Sequence, residues 1–144
     1  TVVSTPDTLK DACKGADLLI GAVLIPGAAT PRIITREMIR SMGPRSVFVD
    51  ISIDQGGCAE TSKPTNLDNP VYEVDGVIHY GVCNMPAQTP RTSTIALASA
   101  TLPYITKLAD EGVERALQSS EMRHALTCQR GVLTNELTAR ALGL

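Results

Sequence analysis

Three short apolar runs, at residues 16–23, 46–51 and 77–82, constrain this chain more than any other feature of its sequence. A nearly continuous apolar run of strand length suits a strand buried on both faces, the situation found in parallel sheets flanked by helices. The segments before the first two runs read as short helices. Thr5-Pro6-Asp7 offers a capping hydroxyl, a proline for the first turn and an acid for the positive dipole end, and Leu9, Ala12 and Cys13 then share one face. Gly15 ends that helix. Thr35 caps a second helix with Met38, Ile39 and Met42 turned inward, and Gly43-Pro44 stops it. Helix, strand, helix, strand is the order of a parallel α/β sheet. A polar, proline-containing loop at 61–70 leads to the third run.

The texture changes at Pro90. Thr94, Ile95, Leu97, Ala98, Ala100, Thr101, Leu102 and Tyr104 belong to a long helical segment that Pro103 is expected to kink. Shorter helices are expected at 113–117 and 135–142, the last capped by Thr134. The sheet-forming half thus ends near residue 88, and an all-helical tail follows.

Composition sets the class. With 43% hydrophobic and 19% charged residues over 144 positions, the chain has the make-up of one globular domain. A net charge of −2, scattered along the chain, provides no basic field for nucleic acid or an anionic membrane surface. The longest apolar stretch falls short of the roughly 20 residues that cross a bilayer. Cys13, Cys58, Cys83 and Cys128 lie far apart without metal-ligand spacing, so no metal site is expected, and free thiols in a reducing cytoplasm are the simple reading. The opening Thr-Val-Val-Ser reads like a chain entered midway.

Ligands of open parallel sheets bind outside the carboxyl ends of the strands, which directs attention to three corners. In the first, Gly21-Ala22-Val23-Leu24-Ile25-Pro26-Gly27-Ala28, small residues let the backbone approach a flat ligand, although any strand exit uses such residues. The second, Val49-Asp50-Ile51-Ser52-Ile53-Asp54-Gln55-Gly56-Gly57-Cys58, sets two acids ahead of a double glycine. Asp54 there suits either an interaction with ribose and a reacting proton or the capping of a turn. The third is Gly81-Val82-Cys83-Asn84-Met85-Pro86, where Asn84 both donates and accepts and Met85 adapts to a ring face, while Asn-x-Pro also makes a turn. His79 sits inside a strand run and is read as structural; His124 is read as a surface residue. No Gly-x-Gly-x-x-Gly and no Walker-type loop occurs, so a dinucleotide-binding architecture would carry its phosphate cradle upstream.

In series, these three corners resemble those of alanine dehydrogenases, and Arg91-Thr92-Ser93-Thr94, Ala96-Leu97 and Ala100-Thr101-Leu102-Pro103-Tyr104 continue the likeness to about Gly112. The resemblance implies a Rossmann-type parallel sheet, of which residues 1–88 form the C-terminal half of the NAD-binding domain, while residues 89–144 are helices returning to the substrate domain. It implies NAD as cofactor, with Ser4, Val23, Leu24, Ile51, Ser52, Ile53, Asp54, Lys63, Val82, Cys83, Asn84 and Met85 at the positions that touch it. Lys63 departs from the Arg expected there, keeping the charge but losing planar bidentate donation. Asp54 matches the family's active-site aspartate beside the nicotinamide. The implied reaction is reversible deamination of L-alanine to pyruvate and ammonia, by a cytoplasmic enzyme that forms hexamers. The catalytic His and the substrate-holding Arg and Lys have no counterpart here, so residues 1–144 alone are expected to be inactive. Two rivals remain: the NAD-binding subunit of a proton-translocating transhydrogenase, which shares the sheet and the Ile-Pro-Gly turn, and a non-catalytic dinucleotide-binding module.

Overall fold

The computed structural model describes residues 1–144, which divide into two compact units, Thr1–Met85 and Pro86–Leu144. The first unit runs α1 (Pro6–Cys13), β1 (Leu18–Gly21), α2 (Arg36–Ser41), β2 (Val47–Asp50), β3 (Val71–Val74) and β4 (Val77–Tyr80). Its four strands lie in the order β1-β2-β4-β3. β1, β2 and β4 are parallel, with Leu19, Phe48 and His79 side by side in register, as the three apolar runs foretold. Both expected caps form: Thr5 makes a capping box with Thr8, and the Thr35 side chain accepts from the Met38 amide.

β3 is an antiparallel edge strand that the sequence reading missed. It joins β4 through Asp75-Gly76, where both residues have positive φ (53° and 83°), the backbone of a tight two-residue hairpin. An Asp-Gly pair between Val-Tyr-Glu-Val and Val-Ile-His-Tyr carries that signal in the sequence itself.

One face of the sheet carries the core. Phe48 and Val77 pack with Cys13 of α1, Met38 and Ile39 of α2, and Ile34, Met42, Cys58 and Ala59 from the connecting segments. The other face differs from expectation. Leu18 and Ile20 are 56% and 55% exposed, so β1 is buried on one face only. The apolar run encodes a two-sided burial that this chain does not itself supply.

His79 is structural, as read from the sequence. Its Nδ1–H donates to the Val77 carbonyl at 2.9 Å, which leaves Nε2 to accept from the Thr61 hydroxyl, also at 2.9 Å. Tyr72 stacks on the ring and Phe48 meets it edge-on. The Tyr72 hydroxyl donates to the Thr61 carbonyl and accepts from the Lys63 amide, so this aromatic stack also fixes the loop ahead of β3.

In the second unit α3 (Pro90–Ala116) is followed by α4 (Ser120–Ala125), a small hairpin of β5 (Cys128–Gln129) and β6 (Val132–Leu133), and α5 (Glu136–Ala141). Pro103 lies within α3, and a break in the helix comes at Gly112 (φ 74°, ψ 166°), a conformation glycine enters without a side-chain clash. Two expectations need correction. The tail is not all helical, since Arg130-Gly131, both at positive φ, turn a two-strand ribbon. The cap of α5 is Asn135, whose side chain accepts from the Thr138 amide, one residue after the expected Thr134. Along α3, Ile95, Leu97, Leu102, Tyr104, Ile105 and Val113 are exposed.

Burial holds the His79 pKa below its ordinary value of 6.5. The unfolded chain therefore takes up the proton first as pH falls. The contribution of His79 to stability is complete above about pH 6.5 and is lost as pH drops through the lower folded-state value. Melting temperature measured between pH 7.5 and 5 should fall more steeply for the wild type than for His79→Asn, whose amide keeps a donor for the Val77 carbonyl. Parallel pH slopes would contradict a buried neutral imidazole.

Candidate functional site

The carboxyl ends of β1, β2 and β4 each open into one of the three corners, and side-chain hydrogen bonds join the corners to one another. β2 ends at Asp50 and passes directly into a 3-10 turn, Ile51–Gln55. Asp50 is 2% exposed. Its Oδ1 accepts from the Ser52 amide at 3.0 Å, and its Oδ2 accepts from the Cys58 amide at 2.9 Å and from the Ser62 hydroxyl. One buried carboxylate thereby closes the loop from the strand end to residue 62. The Ser62 hydroxyl in turn accepts from the Ala59 amide.

Ser52 joins the first corner to the second. Its hydroxyl accepts from the Val23 amide at 2.7 Å and donates to the Val23 carbonyl at 2.8 Å, pairing with the half-buried segment after β1 as a backbone would. Asp54 joins the second corner to the third: the Asn84 amide donates to both of its carboxylate oxygens, at 3.0 and 3.1 Å. Thr65 and Val82 form a parallel bridge beside this tie, and the Cys83 amide donates to the Thr65 carbonyl.

Glycines make these approaches possible. A Cβ on Gly21 would run into the Cys58 sulfur, and one on Gly57, which already has φ of 79°, would strike Ser62 and Asp50. At Gly81 it would lie 2.8 Å from the Lys63 carbonyl. The double glycine therefore serves first to let the loop fold back on its own carboxylate.

Between the first two corners lies a cleft of 320 Å³ lined by Ala22, Val23, Leu24, Ile51, Ser52 and Gln55. Its walls are mostly apolar with two polar groups, the make-up of small-molecule sites, and its size suits a ring and an attached sugar better than a whole dinucleotide. Four expected contact positions, Val23, Leu24, Ile51 and Ser52, meet here. Asp54, Cys83 and Asn84 are exposed and Met85 half-buried at the neighbouring corners. Ile53 and Val82 have buried side chains, and Ile53 packs towards Gly81, so these two act as packing under the site. Lys63 is exposed, with its amide engaged by Tyr72. Ser4 is exposed in the extended segment ahead of α1, and no hydrogen bond ties it to the corners. The sequence reading missed Ala22 and Gln55 as lining residues, and it gave Asp50 no part of its own. A strand-end acid six residues ahead of a glycine pair was the available signal for Asp50.

All four cysteines are free and no metal-binding cluster of His, Cys, Asp or Glu occurs. Burial, with Asp50 alongside, pushes the Cys58 thiol up to about 12, which makes it a packing group and not a nucleophile.

Comparison with known proteins gives the site a family. The family model for the alanine dehydrogenase/PNT C-terminal domain matches residues 1–136. The chain belongs to this family. It is 54% identical over 145 residues to alanine dehydrogenase of Halomonas elongata, covering 100% of this chain and 39% of that protein. Alanine dehydrogenase 1 of Staphylococcus aureus is 48% identical over 136 residues, 94% of this chain and 37% of its own length. Among solved structures, an L-alanine dehydrogenase superposes with a TM-score of 0.76 at 42% identity, over 97% of this chain and 39% of that one. The transhydrogenase of Sinorhizobium meliloti follows at 0.65 and 25% identity, over 92% and 36%. The chain thus spans about two fifths of the length of the relatives it matches. No helix of this alanine dehydrogenase/PNT domain is long and apolar enough to cross a membrane.

Two outcomes follow for the loop. Asp50→Asn sets an amide NH2 against backbone donors in either orientation, and should cost about 2–4 kcal/mol in chemical unfolding. An effect below about 0.5 kcal/mol, the level of an ordinary surface change, would remove Asp50 from its central place. A thiol reagent should react readily with two cysteines of the native chain, Cys83 and Cys128, and with Cys13 and Cys58 only after unfolding.

Proposed function

We propose that this chain is the C-terminal part of an NAD-dependent L-alanine dehydrogenase, with residues 1–88 completing the dinucleotide-binding domain and residues 89–144 returning to the substrate domain. The observation that carries the reading is the placing of Asp54: an exposed carboxylate in the turn that follows β2, braced by the Asn84 amide, at the corner next to an apolar cleft. Its support is the identity to two alanine dehydrogenases, well above the 25% identity to the transhydrogenase.

Bound NAD supplies the hydride acceptor. The cleft residues Val23, Leu24 and Ile51 would offer apolar surface to its ring and exclude water, while Ser52 keeps their loop in place. The overall change is alanine, water and NAD⁺ to pyruvate, ammonium, NADH and a proton. Loss of hydride from the α-carbon of alanine leaves positive charge on the developing iminium. A fixed carboxylate close to that centre stabilises the transition state more than the ground state. Asp54 has this part. Binding groups for the substrate carboxylate and a proton-transferring histidine belong to the remainder of the enzyme, as does the phosphate cradle.

The exposed apolar faces of β1 and α3 suit coverage by that remainder or by other subunits, and we place the enzyme as a homo-oligomer, a hexamer by family likeness. Four free thiols fit a reducing cytoplasm. Light scattering of the full-length enzyme checks the assembly.

In the full-length enzyme Asp54→Asn keeps one acceptor oxygen for the Asn84 amide and loses the charge together with the second acceptor. Turnover of alanine should fall by about 10² or more, the size of effect of removing one electrostatic stabiliser, with a much smaller change in NAD affinity. Turnover within a few-fold of wild type, or parallel loss of binding and turnover, would make Asp54 a structural or cofactor-binding residue. A protein that reduces a second nicotinamide nucleotide with NADH but leaves alanine untouched would favour the transhydrogenase reading instead.

A further inference from the structure

Asn84 has φ of 53°, in the left-handed region that non-glycine residues rarely enter. This is the residue whose amide donates to both oxygens of Asp54. The two facts belong together. The peptide plane entering residue 84 is turned by that backbone conformation, and the amide points at the carboxylate only while the conformation holds. Asparagine tolerates left-handed geometry better than most residues, and β-branched residues tolerate it least. Buried neighbours anchor the segment from below, since Val82 is 3% exposed and Gly81 leaves no room beside the Lys63 carbonyl. The segment therefore cannot readily shift to restore the bond if residue 84 relaxes to ordinary dihedrals.

We infer that Asn84 is a positioning residue for Asp54, acting through its left-handed backbone and amide, and that this part is separate from any contact its carboxamide makes. The inference rests on the proposed part of Asp54 in alanine oxidation. It makes a prediction that a side-chain role does not share. Asn84→Gly and Asn84→Val both delete the carboxamide, so any loss common to them belongs to the side chain. Glycine keeps the left-handed conformation at no steric cost and valine does not. The difference between the two variants therefore isolates the backbone.

The experiment is made in the full-length enzyme with alanine and NAD, with NAD affinity measured by titration, and in the cofactor-free protein by hydrogen exchange at residue 84. Asn84→Val should turn over at least about tenfold more slowly than Asn84→Gly, within the range seen when a reacting group is displaced, while the two bind NAD equally within a few-fold. In an Asp54→Asn background the gap between the two should shrink, because the group being positioned has lost its charge. Without cofactor, the residue 84 amide should stay protected in wild type and Asn84→Gly, and lose at least about tenfold protection in Asn84→Val and in Asp54→Ala. Should Asn84→Val fail to fold, Asn84→Ala takes its place with the same ordering against glycine. Equal turnover of the two variants, a glycine variant slower than valine, or an amide indifferent to Asp54→Ala would overturn the inference while leaving the reading of Asp54 intact. Normal turnover in Asp54→Asn alone would overturn that reading first, and the turnover part of the inference with it.

Discussion

Everything at the sheet's carboxyl edge hangs on one buried carboxylate. Asp50 ends β2 in the centre of the parallel strands and collects the amides of Ser52 and Cys58 together with the Ser62 hydroxyl. A buried carboxyl group is costly unless its acceptor sites are filled, and the donors around this one, the Cys58 thiol included, offset that cost. The geometry they impose turns Ser52 towards Val23 and leaves Asp54 on the outer side of the 3-10 turn. The inner acid is thus what allows the outer one to be exposed and yet fixed.

The three corners illustrate how a parallel sheet builds a site without regular structure. Each strand end points a loop outward, and separate loops would move independently. Ser52 and Asp54 suppress that freedom by bonding to backbone groups 29 and 30 residues distant. Both use side chains on main-chain partners, so the partner's identity matters less than its conformation. Gly21, Gly57 and Gly81 complete the arrangement by removing the atoms that would hold these loops apart.

An uncovered apolar face gives the second unit and the open side of the sheet a shared character. Leu18 and Ile20 on β1, and Ile95, Leu97, Leu102 and Ile105 on α3, are exposed although their sequence patterns are those of buried elements. Patches of that kind on a family member spanning about two fifths of its relatives' length accord with further protein packing there.

The sequence by itself determined the parallel strands, the capped helices before them, the composition of the three corners and the family, because each is written in neighbouring residues: apolar runs, caps, turn pairs and ordered motifs. β3 had a signal in Asp75-Gly76, whereas the β5–β6 ribbon, turned by Arg130-Gly131, had none of that kind. Only the tertiary structure decided which acid of the second corner turns inward, that Asn84 offers its amide to Asp54, that the long helix breaks at Gly112, and that β1 has one bare face. These depend on groups brought together from tens of residues apart, or on which surfaces other chain covers, and no local pattern encodes either.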